Sequence, residues 1–192
     1  MNEASSGLQL LLVALERLGI RYMIGGSYAS SIHGRPRSTM NIDLVVDLRP
    51  SQTKALADEL GADFYADAET MDESLKAGRP FNVIHYKSSY KFDLFPLLPT
   101  LYYRTQFDRR KLSPAGQLAG EKVSYFIATA EDTILAKLAW FRAGGETSER
   151  QWSDMRGILS IQGSRLDFAY MRHWAPELGV ADLLEKLLPE ER

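Results

Sequence analysis

The apolar positions change period along the chain, and each change marks an element. Leu8, Leu11, Leu12, Leu15 and Leu18 fall on one helical face, with Ser5 and Ser6 ahead of them as candidate caps and Gly19 behind as a stop. A short apolar strand over residues 21–24 then runs into Gly25-Gly26-Ser27, and residues 28–33 read as helical turns closed by Gly34. Ile42, Leu44, Val45 and Val46 make a β-branched strand, followed by a helix over residues 50–60 with proline at its opening. Residues 64–66 suit a short strand and 68–77 a helix, while 81–86 and 90–97 pair as a hairpin through Lys87, Ser88 and Ser89.

From residue 99 to 117 the periodicity fades. Residues 123–128 give a last strand, and Glu131 opens a long helix to about residue 143. Beyond Gly144-Gly145 only helices follow, over residues 148–161, 167–178 and 180–188, with glycines at the breaks. The pattern predicts an α+β chain with a mixed β-sheet core and flanking helices over residues 1–128, followed by a C-terminal helical lobe over 129–192.

Composition narrows the partners. With 192 residues, 45% of them hydrophobic, the chain can bury one sizeable core or two lobes. A formal net charge of -2 offers no global positive field, so a polyanionic partner must be held locally. The chain has no cysteine, which removes disulfides and thiolate zinc sites and fits a reducing cytoplasm. Glu3 stands where a secretory signal needs positive charge, and no apolar stretch reaches the roughly 20 residues of a membrane span. A cytoplasmic protein with no membrane, disulfide or zinc chemistry is expected.

Candidate chemistry lies where polar residues interrupt apolar strands. Residues two apart in a strand share a face, so Asn41 and Asp43 project together while Ile42 and Leu44 pack on the other side. Asp93 sits in Lys91-Phe92-Asp93-Leu94-Phe95 and supplies a third oxygen ligand if its strand neighbours the first. Hard divalent cations, Mg2+ or Mn2+, take such ligands. Upstream, Gly25 and Gly26 let the backbone turn its N–H groups, the Ser27 hydroxyl and a helix N-terminus towards one anion. Ser27 suits helix capping as well as phosphate binding. Arg35 and Arg37 bracket Pro36 within reach of a triphosphate, or are solvated loop residues. Together these parts suit attack by an acceptor on a nucleotide phosphate.

The run G-G-S-Y-A-S-S-I-H-G-R-P-R-S-T-M-N-I-D-L-V-V resembles the signature of the nucleotidyltransferase superfamily, with its polymerase-β-like fold. F-N-V-I-H-Y-K-S-S-Y-K-F-D-L-F is similar to that family's hairpin bearing the third acid. E-D-T-I-L-A-K-L-A-W-F-R resembles the lysine-bearing helix of abortive-infection-type nucleotidyltransferase toxins and their small bacterial relatives. The resemblance spans residues 20–155. It implies transfer of a nucleoside monophosphate from an NTP to the hydroxyl of a tRNA end, a protein or a small molecule, a possible antitoxin partner, and contact of Lys137 with nucleotide phosphate. Lys137 also suits a snorkelling role at the edge of its helix's apolar stripe. Arg142 and Asp154 are loosely spaced extensions of the same site.

One position departs from the family. Its first strand acid falls at Asn41, whose amide can touch a cation but brings no charge. Losing such a partner costs roughly 3 to 4 kcal/mol of transition-state stabilisation, so the sequence allows a slow enzyme, an inactive one, or a non-catalytic nucleotide- or protein-binding module, and natural divergence and an engineered replacement of an aspartate fit Asn41 equally. Among residues outside the motif, Asp47 is assigned to a strand end, and His33, His85 and His173 to structure. Trp140, Trp152 and Trp174 are read as packing residues. The basic aromatic stretch from Tyr102 to Lys111 is read as a solvated connector rather than a nucleic-acid grip.

Overall fold

Alternation places Ile42, Leu44 and Val46 of one strand, and Phe92 and Leu94 of another, in the core, while the residues between them stay partly open. The computed structural model describes residues 3–39, 41–116 and 123–188. They divide into two compact units, Met1–Ile24 with Met40–Ile127 and Gly25–Thr39 with Ala128–Arg192.

The first unit holds the sheet. Its strands are β1 (Tyr22–Ile24), β2 (Asn41–Val46), β3 (Phe64–Tyr65), β4 (Phe81–His85), β5 (Tyr90–Pro96), β6 (Lys111–Gly116) and β7 (Val123–Ile127). Among the described residues they form one sheet in the order β3-β4-β5-β2-β1-β7-β6. β2 runs antiparallel to β1 and parallel to β5, and β5 closes an antiparallel hairpin with β4. The mixed directions agree with the α+β pattern predicted above. Helices α1 (Glu3–Arg17), α3 (Thr53–Leu60), α4 (Ala68–Lys76) and α5 (Leu101–Asp108) belong to this unit. Leu8, Leu11, Leu12 and Leu15 of α1 are buried, the stripe that their spacing predicts.

Gly25–Thr39 contributes α2 (Gly26–His33) to the second unit, with α6 (Ala130–Ala143), α7 (Glu149–Gln162), α8 (Phe168–Trp174) and α9 (Ala181–Leu187). α6 is the centre of this bundle. It contacts α2, α7, α8 and α9, and buries Ile134, Leu135, Leu138 and Phe141 together with the polar Asp132, Thr133 and Lys137. Asp132 is satisfied in the interior, accepting hydrogen bonds from Thr129 Oγ1 at 2.8 Å and the Tyr170 hydroxyl at 2.7 Å.

Several elements differ from the expectation. α1 begins at Glu3, so Ser5 and Ser6 lie inside it rather than ahead of it. The helix expected over residues 50–60 opens as a 3-10 turn at Pro50–Gln52 before α3, and α8 stops at Trp174. The stretch without clear periodicity folds as α5 and β6 as far as Gly116, with Gln117 outside the described residues. Thr100 caps α5, its hydroxyl accepting from the Tyr103 N–H, and Tyr102 and Phe107 are buried. Arg110 stacks over the rings of Phe107 and Phe126 at 4.4 and 5.0 Å. The basic aromatic stretch is therefore packed, because its tyrosine and phenylalanine face the core, and the solvated-connector reading is corrected. Trp140 is 57% exposed, contrary to the packing role expected of it.

Candidate functional site

In the sheet unit, the parallel ladder sets Asp43 of β2 directly opposite Asp93 of β5. Adjacent strands lie roughly 4.8 Å apart. Both aspartates are partly open while their sequence neighbours are buried, so the two carboxylates rise on one face of the sheet. Asn41, the exposed first residue of β2, shares that face and donates from its amide to Asp93 Oδ2 at 3.4 Å. Lys91 pairs with Asn41 across the same ladder, and its ammonium lies 3.0 Å from Asp93 Oδ1. On the other side of β5, Asn82 of β4 is the direct partner of Asp93.

The oxygen donors here are hard ligands, two carboxylates and an amide, and they fit a divalent cation such as Mg2+ or Mn2+. Among the described residues, no group of three or more His, Cys, Asp or Glu side chains converges as a metal set. Asn41 is the reason on this face, since an acid there would make the set three carboxylates.

In the helical unit, Gly26 takes φ +55°, a conformation that favours glycine, and opens α2 directly behind Gly25, its N-cap. Ser27 lies inside α2, and the cap position has no side-chain hydrogen bond, so the capping reading of Ser27 is corrected. Its hydroxyl instead accepts from Arg37 Nη2 at 2.5 Å. The same guanidinium grips Asp154 of α7 as a fork, Nε to Oδ1 and Nη2 to Oδ2, both at 2.9 Å. Lys137 of α6 donates to Asp154 Oδ2, also at 2.9 Å. Lys137 is only 6% exposed, so it is a buried ion-pair partner rather than a snorkelling surface lysine. Burial pushes the pKa of Asp154 up, but the hydrogen bonds and charges of Arg37 and Lys137 outweigh it and hold the carboxyl below the usual aspartate value. Two cations share this carboxylate, and Arg37 Nη2 also reaches Ser27 in the first turn of α2.

Comparison with solved structures addresses the fold. Over 97% of its length this chain superposes on 99% of the antibiotic-resistance factor ANT(2'')-Ia in solution, with a TM-score of 0.55 at 14% identity. An antigenic nucleotidyltransferase-like protein from Paracoccidioides brasiliensis matches 97% of this chain and 90% of its own, with a TM-score of 0.58 at 18% identity. The chain has the nucleotidyltransferase fold. ANT(2'')-Ia in complex with adenylyl-2''-tobramycin matches 92% of this chain, over 97% of its own, with a TM-score of 0.51 at 13% identity. No protein-family model and no curated sequence matches.

The nucleotidyltransferase fold gathers some residues singled out in the sequence and separates others. Asp43, Asp93 and Asn41 meet on one sheet face. Gly25, Gly26, Ser27, Arg37 and Lys137 belong together in the helical unit, where Asp154 is the hub. Arg142 goes elsewhere, pairing with Asp182 at 2.6 Å and Glu146 at 3.2 Å. Arg35 is exposed and lies over Gly157 of α7. Asp47 pairs with Arg21 at 2.6 Å, the strand-end role expected of it. His33 bonds to the Ala128 carbonyl and His85 to the Ser88 hydroxyl.

Lys91 and Asn82 were missed by the sequence reading. Their signals were present, since Lys91 shares the parity of Asp93, and closing the hairpin at His85 and Tyr90 brings Asn82 opposite Asp93. The central role of Asp154 carries no such signal, because its partners lie 17 and 117 residues away.

Proposed function

We propose that this chain is a divalent-metal-dependent nucleotidyltransferase that moves a nucleoside monophosphate from an NTP to the hydroxyl of an acceptor. The observation that supports this reading is the pairing of Asp43 with Asp93 on adjacent parallel strands of a nucleotidyltransferase fold. The acceptor oxygen forms a bond to the α-phosphorus, the bond to the bridging oxygen breaks, pyrophosphate leaves, and the hydroxyl proton passes to solvent. Asp43 and Asp93, with the Asn41 amide oxygen, would hold Mg2+ or Mn2+. Such an ion, when bound, supplies positive charge that offsets the phosphate oxygens. Taken by itself, the helical unit offers anion-binding groups suited to phosphate oxygens, the backbone N–H groups of the Gly25-Gly26 turn and the side chains of Arg37 and Lys137.

Among a tRNA end, a protein and a small molecule, we favour a small hydroxylated acceptor, because the neighbour ANT(2'')-Ia is complexed with an adenylylated small molecule. We place the reaction in the cytoplasm, where NTPs are available. A toxin role with an antitoxin partner, of the abortive-infection type, goes with the tRNA or protein acceptor.

Asn41 favours a second reading, a nucleotide- or protein-binding module that retains the fold without transfer. The substitution Asn41→Asp distinguishes them. With α-labelled NTP and pooled candidate acceptors, the Asn41→Asp chain is expected to transfer label two to three decades faster than the unaltered one, from the size of one preorganised electrostatic partner. Absence of transfer by both forms, together with absence of Mg-NTP binding by calorimetry, would remove the enzyme reading.

A further inference from the structure

We propose that Lys91 is the resident counter-ion of Asp93 and sets how tightly the carboxylate pair takes a divalent cation. This rests on the metal-binding reading of Asp43 and Asp93. Lys91 projects from the same face of β5 as Asp93, and its ammonium lies 3.0 Å from Oδ1. Asn41, its direct cross-strand partner, donates to Oδ2. Both oxygens of Asp93 are therefore already engaged by positive or donor groups from the two strands that carry the site.

A cation approaching Asp93 must displace Lys91 Nζ, which already engages Oδ1. The ammonium therefore competes with a bare metal ion for that oxygen and weakens its hold. Phosphate oxygens change the balance. They offer Lys91 a second partner, and its flexible stem, with the side chain 37% exposed, lets Nζ leave Asp93 for them. Metal entry is then coupled to nucleotide entry, and the site fills as a metal–nucleotide pair rather than ion first.

An ordinary half-exposed salt bridge would have little effect on anything, and the test uses a readout that such a bridge would not move. Mn2+ binding to the full chain is followed by the electron paramagnetic resonance signal of the free ion at low ionic strength. Variants Lys91→Gln, Lys91→Arg, Asn41→Asp and Asp43→Asn are compared after circular dichroism confirms that each is folded. Lys91→Gln is expected to tighten Mn2+ binding roughly five- to tenfold, Lys91→Arg to leave it unchanged, and the gain to shrink as salt is added. A Lys91→Gln chain that binds Mn2+ no more tightly than the unaltered one overturns the proposal. If Asn41→Asp tightens binding while Lys91→Gln does not, only the role of Lys91 is lost. If Asp43→Asn and Asn41→Asp both leave binding unchanged, the metal-binding reading itself is wrong.

Discussion

Lys137 donates its ammonium to Asp154 Oδ2 at 2.9 Å, and the side chains are 8% and 9% exposed. Removing the carboxylate takes from Arg37 its fork and from Lys137 this ion pair. Asp154→Ala is expected to lower stability by roughly 3 kcal/mol, the size typical of breaking a buried pair from one side. Lys137→Met leaves Asp154 with its Arg37 fork and should cost about 1 to 2 kcal/mol. Urea unfolding curves of the two variants check the order as well as the sizes.

Acid should find the same carboxylate. Its folded value is held below the ordinary aspartate value of 3.8, so its contribution is complete above that ordinary value and disappears as pH falls through the lower folded one. The natural chain and Asp154→Asn are therefore expected to differ most near neutrality and to converge as pH drops below about 4. Melting temperatures taken from pH 7 down to pH 3 test this, and parallel curves would contradict it.

Gly34 is the C-cap of α2 and faces the backbone of α7. A Cβ built there would meet Ile158 N at 2.8 Å, with the Gly157 carbonyl carbon and the Ser30 carbonyl oxygen each at 3.0 Å. These are backbone atoms with no rotamer to change. Gly34→Ala should force α2 away from α7 and cost about 1 to 3 kcal/mol, measured by the same unfolding curves. A neutral substitution would mean that the two helices are not in this contact.

If transfer is restored by Asn41→Asp, the second acid should be indispensable to it. Adding Asp43→Asn to that background is expected to lower the transfer rate by roughly two to three decades. Steady-state label transfer supplies the number.

The sequence disclosed the sheet better than the helical unit, for a physical reason. Period-two alternation in β2 and β5 states directly which side of each strand meets the core, so Asp43 and Asp93 stood out as polar residues with buried neighbours. Adjacency of the two strands was not in the pattern, since parallel pairing comes from the whole fold. α5 was invisible because aromatic and basic residues mix on a short helix whose buried side is only Tyr102, Gln106 and Phe107. Lys137 looked like a lysine at the margin of an apolar stripe, yet lies inside because Asp154 and Arg37 meet it there. Periodicity locates apolar faces, whereas a buried ion-pair network arises from contacts between distant segments.

The two acids are joined by backbone hydrogen bonds of one parallel ladder, while the chain between Val46 and Tyr90 leaves the strand and comes back. Their spacing therefore does not depend on the composition of that excursion. Descendants of this sequence can vary the exposed positions of the α3–β3–α4 segment and keep the carboxylates at the same separation, while Leu56, Leu60, Phe64 and Met71 stay tied to the core. Sliding β5 by a single residue, in contrast, would point Phe92 and Leu94 at water and bury the acid. Heritable variation is thus channelled into the excursion and away from the ladder.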